Sequence, residues 1–260
     1  ESDHPTVWNK VNGIYRIPYR CLYSVNIENL FLGGRAISCS HVAFSSTRVM
    51  ATCAVAGQAA GTAAAMAAKG DLSPRQVLTH VKELQQKLLK ADCYIPGIRN
   101  EDGKDLARRA RAAASAQLPG CGAGHVLNGI PRTVGDQKNC WSAPIGEKPV
   151  LTLKWEEEIM PAQIRLLLDS NLSREITPSI NRGVLARQVK GTPPELLREF
   201  KLLFCRKGEI LEEMACESRG QRLQVIQVEG GPVVDEIRLI PVSTYGSENA
   251  VVFEVRVYGE

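Results

Sequence analysis

Residues 29–35 read Asn-Leu-Phe-Leu-Gly-Gly-Arg, and residues 48–61 read Arg-Val-Met-Ala-Thr-Cys-Ala-Val-Ala-Gly-Gln-Ala-Ala-Gly. The apolar run that ends at the two glycines predicts a short buried strand over residues 27–32. The polar residues that follow predict a loop over residues 36–46. This part of the chain therefore begins with a strand, a Gly-Gly turn and a loop.

The loop leads into an alanine-rich segment that predicts a long helix over residues 47–69. Ser45, Ser46 or Thr47 would cap the start of this helix. Gly70 would end it in the left-handed conformation that glycine adopts easily. The Ser-Pro pair at 73–74 then predicts a second helix, which ends near Ala91.

Together with residues 17–22, Ile-Pro-Tyr-Arg-Cys-Leu, this pattern resembles the C-terminal end of the FAD-binding domain in the FAD-dependent oxidoreductase family. The resemblance covers roughly residues 3–95 and implies the end of an α/β dinucleotide-binding domain. It also implies FAD as the cofactor and hydride or electron transfer through the flavin. The small-molecule substrate is not identified by the sequence.

The resemblance implies roles for particular residues. Gly33 and Gly34 would let the chain approach a phosphate or the ribityl group without a Cβ clash. The helix N-terminus, with its unpaired N–H groups, would stabilise negative charge on the flavin or its pyrophosphate. Arg35 stands where many flavoproteins have an acidic residue, and it would pair with the pyrophosphate. The predicted cofactor-binding residues are Gly33, Gly34, Arg35, Ser46, Arg48, Gly57 and Gly61.

His41 lies in the predicted loop and is the candidate catalytic residue, as an acid, a base or a group that orients the substrate. The alternative is a structural histidine. Arg48 opposes the helix dipole, which favours contact with an anion, and the alternative is a salt bridge. Arg16 and Arg20 would line the same site or lie on the solvated surface.

One expected element is missing from the 260 residues. No G-x-G-x-x-G motif occurs, and this motif marks the strand, turn and helix that hold the pyrophosphate in dinucleotide-binding folds. We therefore expect the chain to be the C-terminal portion of a longer enzyme or one half of a split enzyme. It would need the N-terminal remainder in cis or in trans. Alone it should bind FAD weakly or not at all and be inactive.

The composition changes after residue 95, and residues 96–117 are expected to form a linker. The segment 105–117 has high helix propensity but contains three arginines, and we assign it no element. Beyond it, short alternating runs separated by turn residues predict an antiparallel β-sandwich over residues 118–260. The predicted strands are 150–155, 162–168, 183–188, 199–205, 210–215, 221–228, 233–241 and 251–258.

This second part resembles galactose-binding-like, or discoidin-like, β-sandwiches of the jelly-roll type. The residues that carry the resemblance are Val-Leu-Asn-Gly at 126–129, Cys140-Trp141, Glu-Ile-Arg-Leu-Ile at 236–240 and Phe-Glu-Val-Arg-Val-Tyr at 253–258. The expected fold class is thus α+β and multidomain. Residues 1–95 would form a partial dinucleotide-binding domain, and a sandwich would follow.

The resemblance of the second part supports an alternative function. The sandwich would bind a carbohydrate or a cell surface, and the first part would be a non-catalytic flavoprotein remnant. Trp141 and Trp155 would then form a glycan platform, although buried sandwich tryptophans are the competing interpretation. Aromatic residues make up 5% of the chain, which leaves few side chains for such a platform.

Charge and cysteine content limit other functions. Residues 1–95 contain ten Lys or Arg and six Asp or Glu, so the whole net charge of +4 lies there. That charge is too small to indicate a nucleic-acid partner.

The uncharged run 49–68 is rich in alanine and lacks bulky side chains, which argues against a membrane span. Cys121, His125 and Cys140 lack a fourth ligand, so no metal site is predicted and the cysteines are expected to be ordinary thiols in or near the core.

Overall fold

The computed structural model describes residues 13–174, 176 and 179–259. The chain divides into two compact units, Glu1–Ile98 and Arg99–Glu260. Within the described residues the first unit is helical and the second is built mainly from strands. The helices of the first unit are α1, His41–Thr47, α2, Met50–Gly70, and α3, Val81–Lys90, with tight helical turns at Tyr19–Leu22, Gly34–Ala36 and Gln76–His80.

The strand predicted over residues 27–32 is wrong. The side chain of Ser24 accepts hydrogen bonds from the N–H groups of Asn26 and Ile27, at 3.2 and 3.0 Å, and closes a turn. Only Tyr23 and Phe31 pair as an isolated bridge. Around this bridge the N–H of Ser24 donates to the carbonyl of Leu30 at 3.0 Å, and the N–H of Leu32 donates to the carbonyl of Leu22 at 2.8 Å. The pairing therefore covers too few residues to form a strand.

The predicted loop over residues 36–46 is also wrong in its second half, which forms α1. Ser40 caps this helix, because its hydroxyl oxygen accepts a hydrogen bond from the N–H of Ala43 at 3.3 Å. The long helix α2 therefore begins later than predicted. Its N-cap is Val49, which has no side-chain bond to the helix. Thus none of the predicted caps at residues 45–47 caps α2.

The C-terminal end of α2 is one residue later than predicted. Gly70 is the last helical residue, and Asp71 adopts the left-handed conformation with φ of 49°. Aspartate tolerates this conformation better than most residues with a Cβ. Further along, the N–H of Ser73 donates to the side chain of Gln76 at 2.8 Å, and the hydroxyl of Ser73 accepts from the N–H of Gln76 at 3.3 Å. This reciprocal capping confirms the predicted helix start near Ser73, although the first turns are tight.

The helices of the first unit share one small core. Alanines on one face of α2 pack with apolar residues of α3 and the tight turns. The buried members of this core are Tyr19, Leu22, Tyr23, Ile37, Ala56, Ala63, Ala67, Val77, Leu84, Leu88 and Cys93. Among the described residues, no single helix is long and apolar enough to cross a membrane. Helices α1 and α2 reach that length and composition only as a pair, bent by 96°.

The second unit is an antiparallel β-sandwich, as predicted. Its strands are β1, Arg111–Ala114, β2, Trp141–Pro144, β3, Leu151–Ile159, β4, Pro161–Leu168, β5, Leu197–Arg206, β6, Glu209–Glu217, β7, Leu223–Gln227, β8, Val234–Thr244, and β9, Asn249–Gly259. The five-stranded sheet has the order β1-β3-β8-β5-β6, and the four-stranded sheet has the order β2-β9-β4-β7. All of these neighbouring strands pair in antiparallel fashion.

Side chains alternate between the core and the solvent along most strands, because successive residues of a β-strand point to opposite faces of the sheet. On β3, Leu151, Leu153 and Trp155 are buried, whereas Lys154 between them is exposed. The last strand, β9, differs because it is buried on both faces. Tight turns at Leu106–Arg109 and Ala123–Leu127 contact it.

Two segments of the second unit differ from the sequence prediction. The strand predicted over 183–188 is wrong, because residues 183–187 belong to the short helix α4, Arg182–Arg187, and Gln188 is its C-cap. Asn181 caps this helix by accepting hydrogen bonds from the N–H groups of Gly183 and Val184 at 2.8 and 3.3 Å. Strand β2 was not predicted. The unassigned segment 105–117 contains a tight turn and β1.

Candidate functional site

The Gly-Gly turn lies against helix α2. Gly33 is extended, with φ of −139°, and Gly34 has φ of 60° and begins the tight turn Gly34–Ala36. This turn contacts α2. A Cβ atom built on either glycine would have no neighbour within 4 Å among the described residues. The backbone is therefore open to close approach, and the side chain of Arg35 next to it is exposed.

Ser46 and Arg48 lie where α1 ends. The N–H of Arg48 donates to the carbonyl of Phe44 at 3.1 Å, and the Arg48 guanidinium lies 5.8 Å from the centroid of the Phe44 ring. Among the described residues this cation therefore contacts an aromatic ring rather than a carboxylate. The Ser46 hydroxyl donates to the carbonyl of Ala43 at 3.2 Å and shares a 2.5 Å hydrogen bond with the Tyr15 hydroxyl.

The N-terminus of α2 follows directly after Arg48. The first N–H groups of any helix have no acceptor within the helix, and the N-cap residue Val49 supplies no side-chain acceptor. The positive end of the helix dipole is at the same place. Between Glu28 and Asp71 the chain contains no acidic residue, whereas Arg35 and Arg48 are both exposed. This donor set and charge suit an anionic group such as a pyrophosphate.

Gly57 and Gly61 lie on α2 away from the alanines that it buries. No described atom comes within 4 Å of where a Cβ would stand on either glycine. The apolar side chains around the start of α2 are also exposed, including Val42 at 84% and Met50 at 73%. Within the described part of the first unit, no neighbouring group therefore packs closely on these two glycines.

His41 is the first residue of α1, and its side chain is exposed. Arg16 and Arg20 are exposed as well. The structure thus holds His41 on a regular helix instead of a loop. Its catalytic role stays a prediction, as do the cofactor-binding roles of the other seven residues.

Two residues of this region make contacts that were not predicted. Thr47 is buried, its hydroxyl lies 3.6 Å from the Cys39 thiol, and its carbonyl accepts a hydrogen bond from the Cys53 thiol at 3.4 Å. Tyr15 reaches Ser46 across 31 residues of sequence. No local pattern signals the contact of Tyr15 with Ser46, because it depends on how the chain folds back.

In the second unit, the two tryptophans do not form the glycan platform that was one of their two interpretations. Trp141 is fully buried, and its indole N–H donates to the carbonyl of Ala116 at 3.0 Å. Trp155 is buried too, and its indole N–H donates to the carbonyl of Leu106 at 2.8 Å. The competing interpretation, buried sandwich tryptophans, is confirmed.

The described part of the second unit has cavities on its surface, including the following two. One of about 290 Å³ is lined almost entirely by polar residues: Arg99, Asn100, Glu101, Arg108, Leu127 and Asn128. Another of about 590 Å³ lies between residues 144–146 and residues 242–248. Within the described part of the chain, no group of three His, Cys, Asp or Glu side chains is placed to hold a metal ion.

Solved structures similar to this chain include three sugar-binding modules. The lectin domain of lectinolysin, complexed with Lewis B antigen, is 9% identical, with a TM-score of 0.45 over 61% of this chain and 98% of that one. A fucose-binding module of Streptococcus pneumoniae is 10% identical, with a TM-score of 0.43 over 60% and 98%. The family 32 CBM from C. perfringens NanJ, in complex with galactose, is 12% identical, with a TM-score of 0.41 over 58% and 95%.

A comparison with curated protein sequences found no match. The sequence model of the FAD dependent oxidoreductase family matches residues 1–88. This match confirms the resemblance predicted for the first part of the chain and contains all of the predicted site residues. The first 88 residues are therefore similar to FAD dependent oxidoreductases, and in this chain they precede a β-sandwich.

Proposed function

We propose that this chain is the C-terminal portion of an FAD-dependent oxidoreductase and that its first unit supplies one wall of the flavin site. The observation that carries the proposal is the open Gly33-Gly34 turn packed against α2, within the residues that match the family. The uncapped N-terminus of α2 and the exposed Arg35 and Arg48 support it, because they favour a negatively charged ligand.

Bound FAD would supply the electron or hydride acceptor, and the chain would bind and orient it. Backbone groups at Gly33 and Gly34 would come close to the cofactor, where any side chain would obstruct it. The N–H groups at the start of α2 would donate to its anionic groups. His41 would hold or move a proton on the substrate.

The rest of the dinucleotide-binding domain would cover the exposed apolar side chains near the start of α2. Val42 and Met50 are among the most exposed apolar residues of the first unit, and Val49 and Val55 are about half exposed. Burying a side chain of this size contributes about 1.5–3 kcal/mol. We therefore propose that the portion with the G-x-G-x-x-G turn, in cis or in trans, packs on this surface.

Co-expression with a second protein that carries a G-x-G-x-x-G motif and is encoded next to this one tests this function. The expected result is a complex that co-purifies, shows the visible absorbance of a bound flavin and loses that absorbance on unfolding. Purified alone, the 260-residue chain should show little binding when titrated with FAD. A complex that forms but takes up no FAD would exclude the flavin site, and tight FAD binding by the chain alone would exclude the need for the partner.

The second candidate is carbohydrate or surface binding by the sandwich, with a non-catalytic first unit. The polar cavity of about 290 Å³ favours it, because guanidinium, carboxylate and amide groups bind sugar hydroxyls. A glycan array tests it with Arg108→Ala, which changes the cavity, and Arg109→Ala, an exposed neighbour outside it. Binding that Arg108→Ala abolishes and Arg109→Ala preserves would support this candidate, and an array without any bound glycan would count against it.

A further inference from the structure

Two cysteines of the second unit are in direct contact. The Cys140 thiol donates to the sulfur of Cys121, and the two Sγ atoms are 3.7 Å apart. Their side chains are almost fully buried, at 3% exposure for Cys121 and 5% for Cys140. Both are free thiols in this structure, and 19 residues of sequence separate them. The contact is therefore long-range and does not follow from neighbouring sequence positions.

Backbone hydrogen bonds hold the two cysteines side by side. The N–H of Leu118 donates to the carbonyl of Ser142 at 2.7 Å, and the N–H of Ser142 donates to the carbonyl of Cys121 at 3.3 Å. The segment that ends at Cys121 thus runs beside the start of β2. In addition, the His125 ring bonds to the carbonyl of Cys140 at 3.1 Å. The backbone on both sides of the contact is fixed.

The surroundings of the two sulfurs are apolar. Leu167 and Phe253 are buried in the same cluster, and Leu118, Leu223 and Val251 pack against it. A disulfide is uncharged and donates no hydrogen bond, so it suits such a site. A disulfide has its sulfurs about 2.05 Å apart, so they would move closer by about 1.7 Å. Rotation about a Cα–Cβ bond moves a sulfur atom by a distance of this order.

We propose that Cys121 and Cys140 form a disulfide under oxidising conditions, and that this bond stabilises the second unit by closing the segment 121–140. A low-molecular-weight disulfide such as oxidised glutathione is the oxidant. One cysteine thiolate attacks it and forms a mixed disulfide, which releases the first glutathione thiolate. The other cysteine thiolate then attacks the protein sulfur and releases the second. The two cysteines lose two protons and two electrons, and one oxidised glutathione becomes two reduced glutathiones.

The segment that the bond would close contributes to both the core and the polar cavity. Val126 is fully buried in the main core of the sandwich, and Leu127 and Asn128 line the cavity of about 290 Å³. Closing a loop of this length restricts the unfolded chain, which lowers the equilibrium constant of unfolding by about a hundredfold. Oxidation would therefore make unfolding of this cavity wall rarer.

The bond should form mainly while the chain folds. Burial and the neighbouring Cys121 raise the pKa of the Cys140 thiol to about 12, so the reactive thiolate is scarce in the folded unit. An unfolded chain has no such restriction. Refolding in a glutathione redox buffer is thus the appropriate condition for the test.

The experiment uses the full chain, reduced and unfolded, then refolded with oxidised and reduced glutathione. Free thiols are alkylated in denaturant, and tryptic peptides are analysed by mass spectrometry. Trypsin cleaves after Arg132 and Lys138, so the peptides with Cys121 and Cys140 separate unless a disulfide joins them. The expected product is that joined pair, with the other six cysteines alkylated. Alkylation of both Cys121 and Cys140, or a joined peptide with a different cysteine, would overturn the proposal.

Variants and stability provide the controls. Cys140→Ala should remove the joined peptide, whereas Cys205→Ala, a change at another buried thiol, should leave it. The oxidised wild-type chain should unfold at a higher urea concentration than the same chain kept reduced, and Cys140→Ala should show no such difference. An oxidised chain that is no more stable than the reduced one would overturn the stabilising role, whatever the peptide map shows.

Discussion

The carboxylate of Asp105 accepts a hydrogen bond from the backbone N–H of Val257 at 3.0 Å, across 152 residues of sequence. It also accepts from the N–H of Ala107 at 3.1 Å and from the side-chain amide of Asn100 at 2.7 Å. Asp105 is almost fully buried, with 3% of its surface exposed. One side chain therefore joins the first residues of the second unit to β9, its last strand.

Asp105→Ala should destabilise the second unit by about 2–4 kcal/mol, because three buried donors would lose their acceptor. Urea unfolding of the two chains measures this change. Asp136→Ala, at an exposed aspartate of the same unit, is the control and should change stability by less than about 0.5 kcal/mol. Equal effects of the two substitutions would contradict the role given to Asp105.

The same carboxylate should make stability depend on pH. Burial raises the pKa of Asp105 above its ordinary value of 3.8, despite the hydrogen bonds that lower it. The folded chain then holds this proton more tightly than the unfolded chain does. Its contribution to stability is full below pH 3.8 and declines as the pH rises through the folded-state pKa.

Asp105→Asn removes that titration and keeps an acceptor oxygen. The difference in unfolding free energy, wild type minus Asp105→Asn, should therefore decrease as the pH rises from 3.8 into the mildly acidic range. Urea titrations at several pH values measure it. A difference that is constant or grows with pH would show that the pKa of Asp105 is not raised.

Gly129→Ala should destabilise the second unit by more than its backbone conformation alone would cost. Gly129 has φ of 75°, and a Cβ there would stand 2.8 Å from the backbone nitrogen of Asn100. Gly135→Ala is the matched control, since Gly135 has φ of 58° and nothing within 4 Å. Thermal unfolding should show a loss of about 1–2 kcal/mol for the control and about 3 kcal/mol or more for Gly129→Ala.

Gly34→Ala tests the proposal that the Gly33-Gly34 turn forms one wall of the flavin site. Gly34 and Gly97 both have positive φ, 60° and 72°, and neither has an atom within 4 Å of a built Cβ. Alanine at either position should cost the first unit about 1–2 kcal/mol in backbone strain. In the complex with the G-x-G-x-x-G partner, only Gly34→Ala should weaken FAD binding, by about tenfold or more, as measured by flavin fluorescence. Equal FAD affinity of the two variants would contradict a cofactor contact at Gly34.

Trp141→Ala should destabilise the sandwich by about 3–5 kcal/mol, because a fully buried indole leaves a large cavity. Trp141→Phe fills most of that space and loses only the hydrogen bond to Ala116, so it should cost less. Chemical unfolding distinguishes the two. A folded Trp141→Ala chain with wild-type stability would mean that the tryptophan is not a core residue.

Patterns of short range were enough to predict much of the fold. Alternation of apolar and polar residues located most strands of the second unit, because one side of each strand faces the core. The prediction was wrong where a single capping side chain decided the outcome. Asn181 made 182–187 helical, and Ser40 made a helix of the predicted loop before α2. Such a cap stabilises the helix by about 1 kcal/mol relative to a loop or a strand. The pattern of apolar and polar residues contains no information about this contribution.

Local features of the sequence were enough to separate a helical first part from a β-rich second part, because alanine content and strand periodicity are local properties. The likeness of the first part to flavoproteins came from its resemblance to a family and not from these features. Which residues meet across the chain follows from its three-dimensional fold. The order β1-β3-β8-β5-β6, the burial of Trp141, the contact of Cys121 with Cys140 and the bond of Asp105 to Val257 join segments far apart in the chain. Contacts of this kind depend on how the two sheets pack and cover each other, and no local window of sequence contains that information.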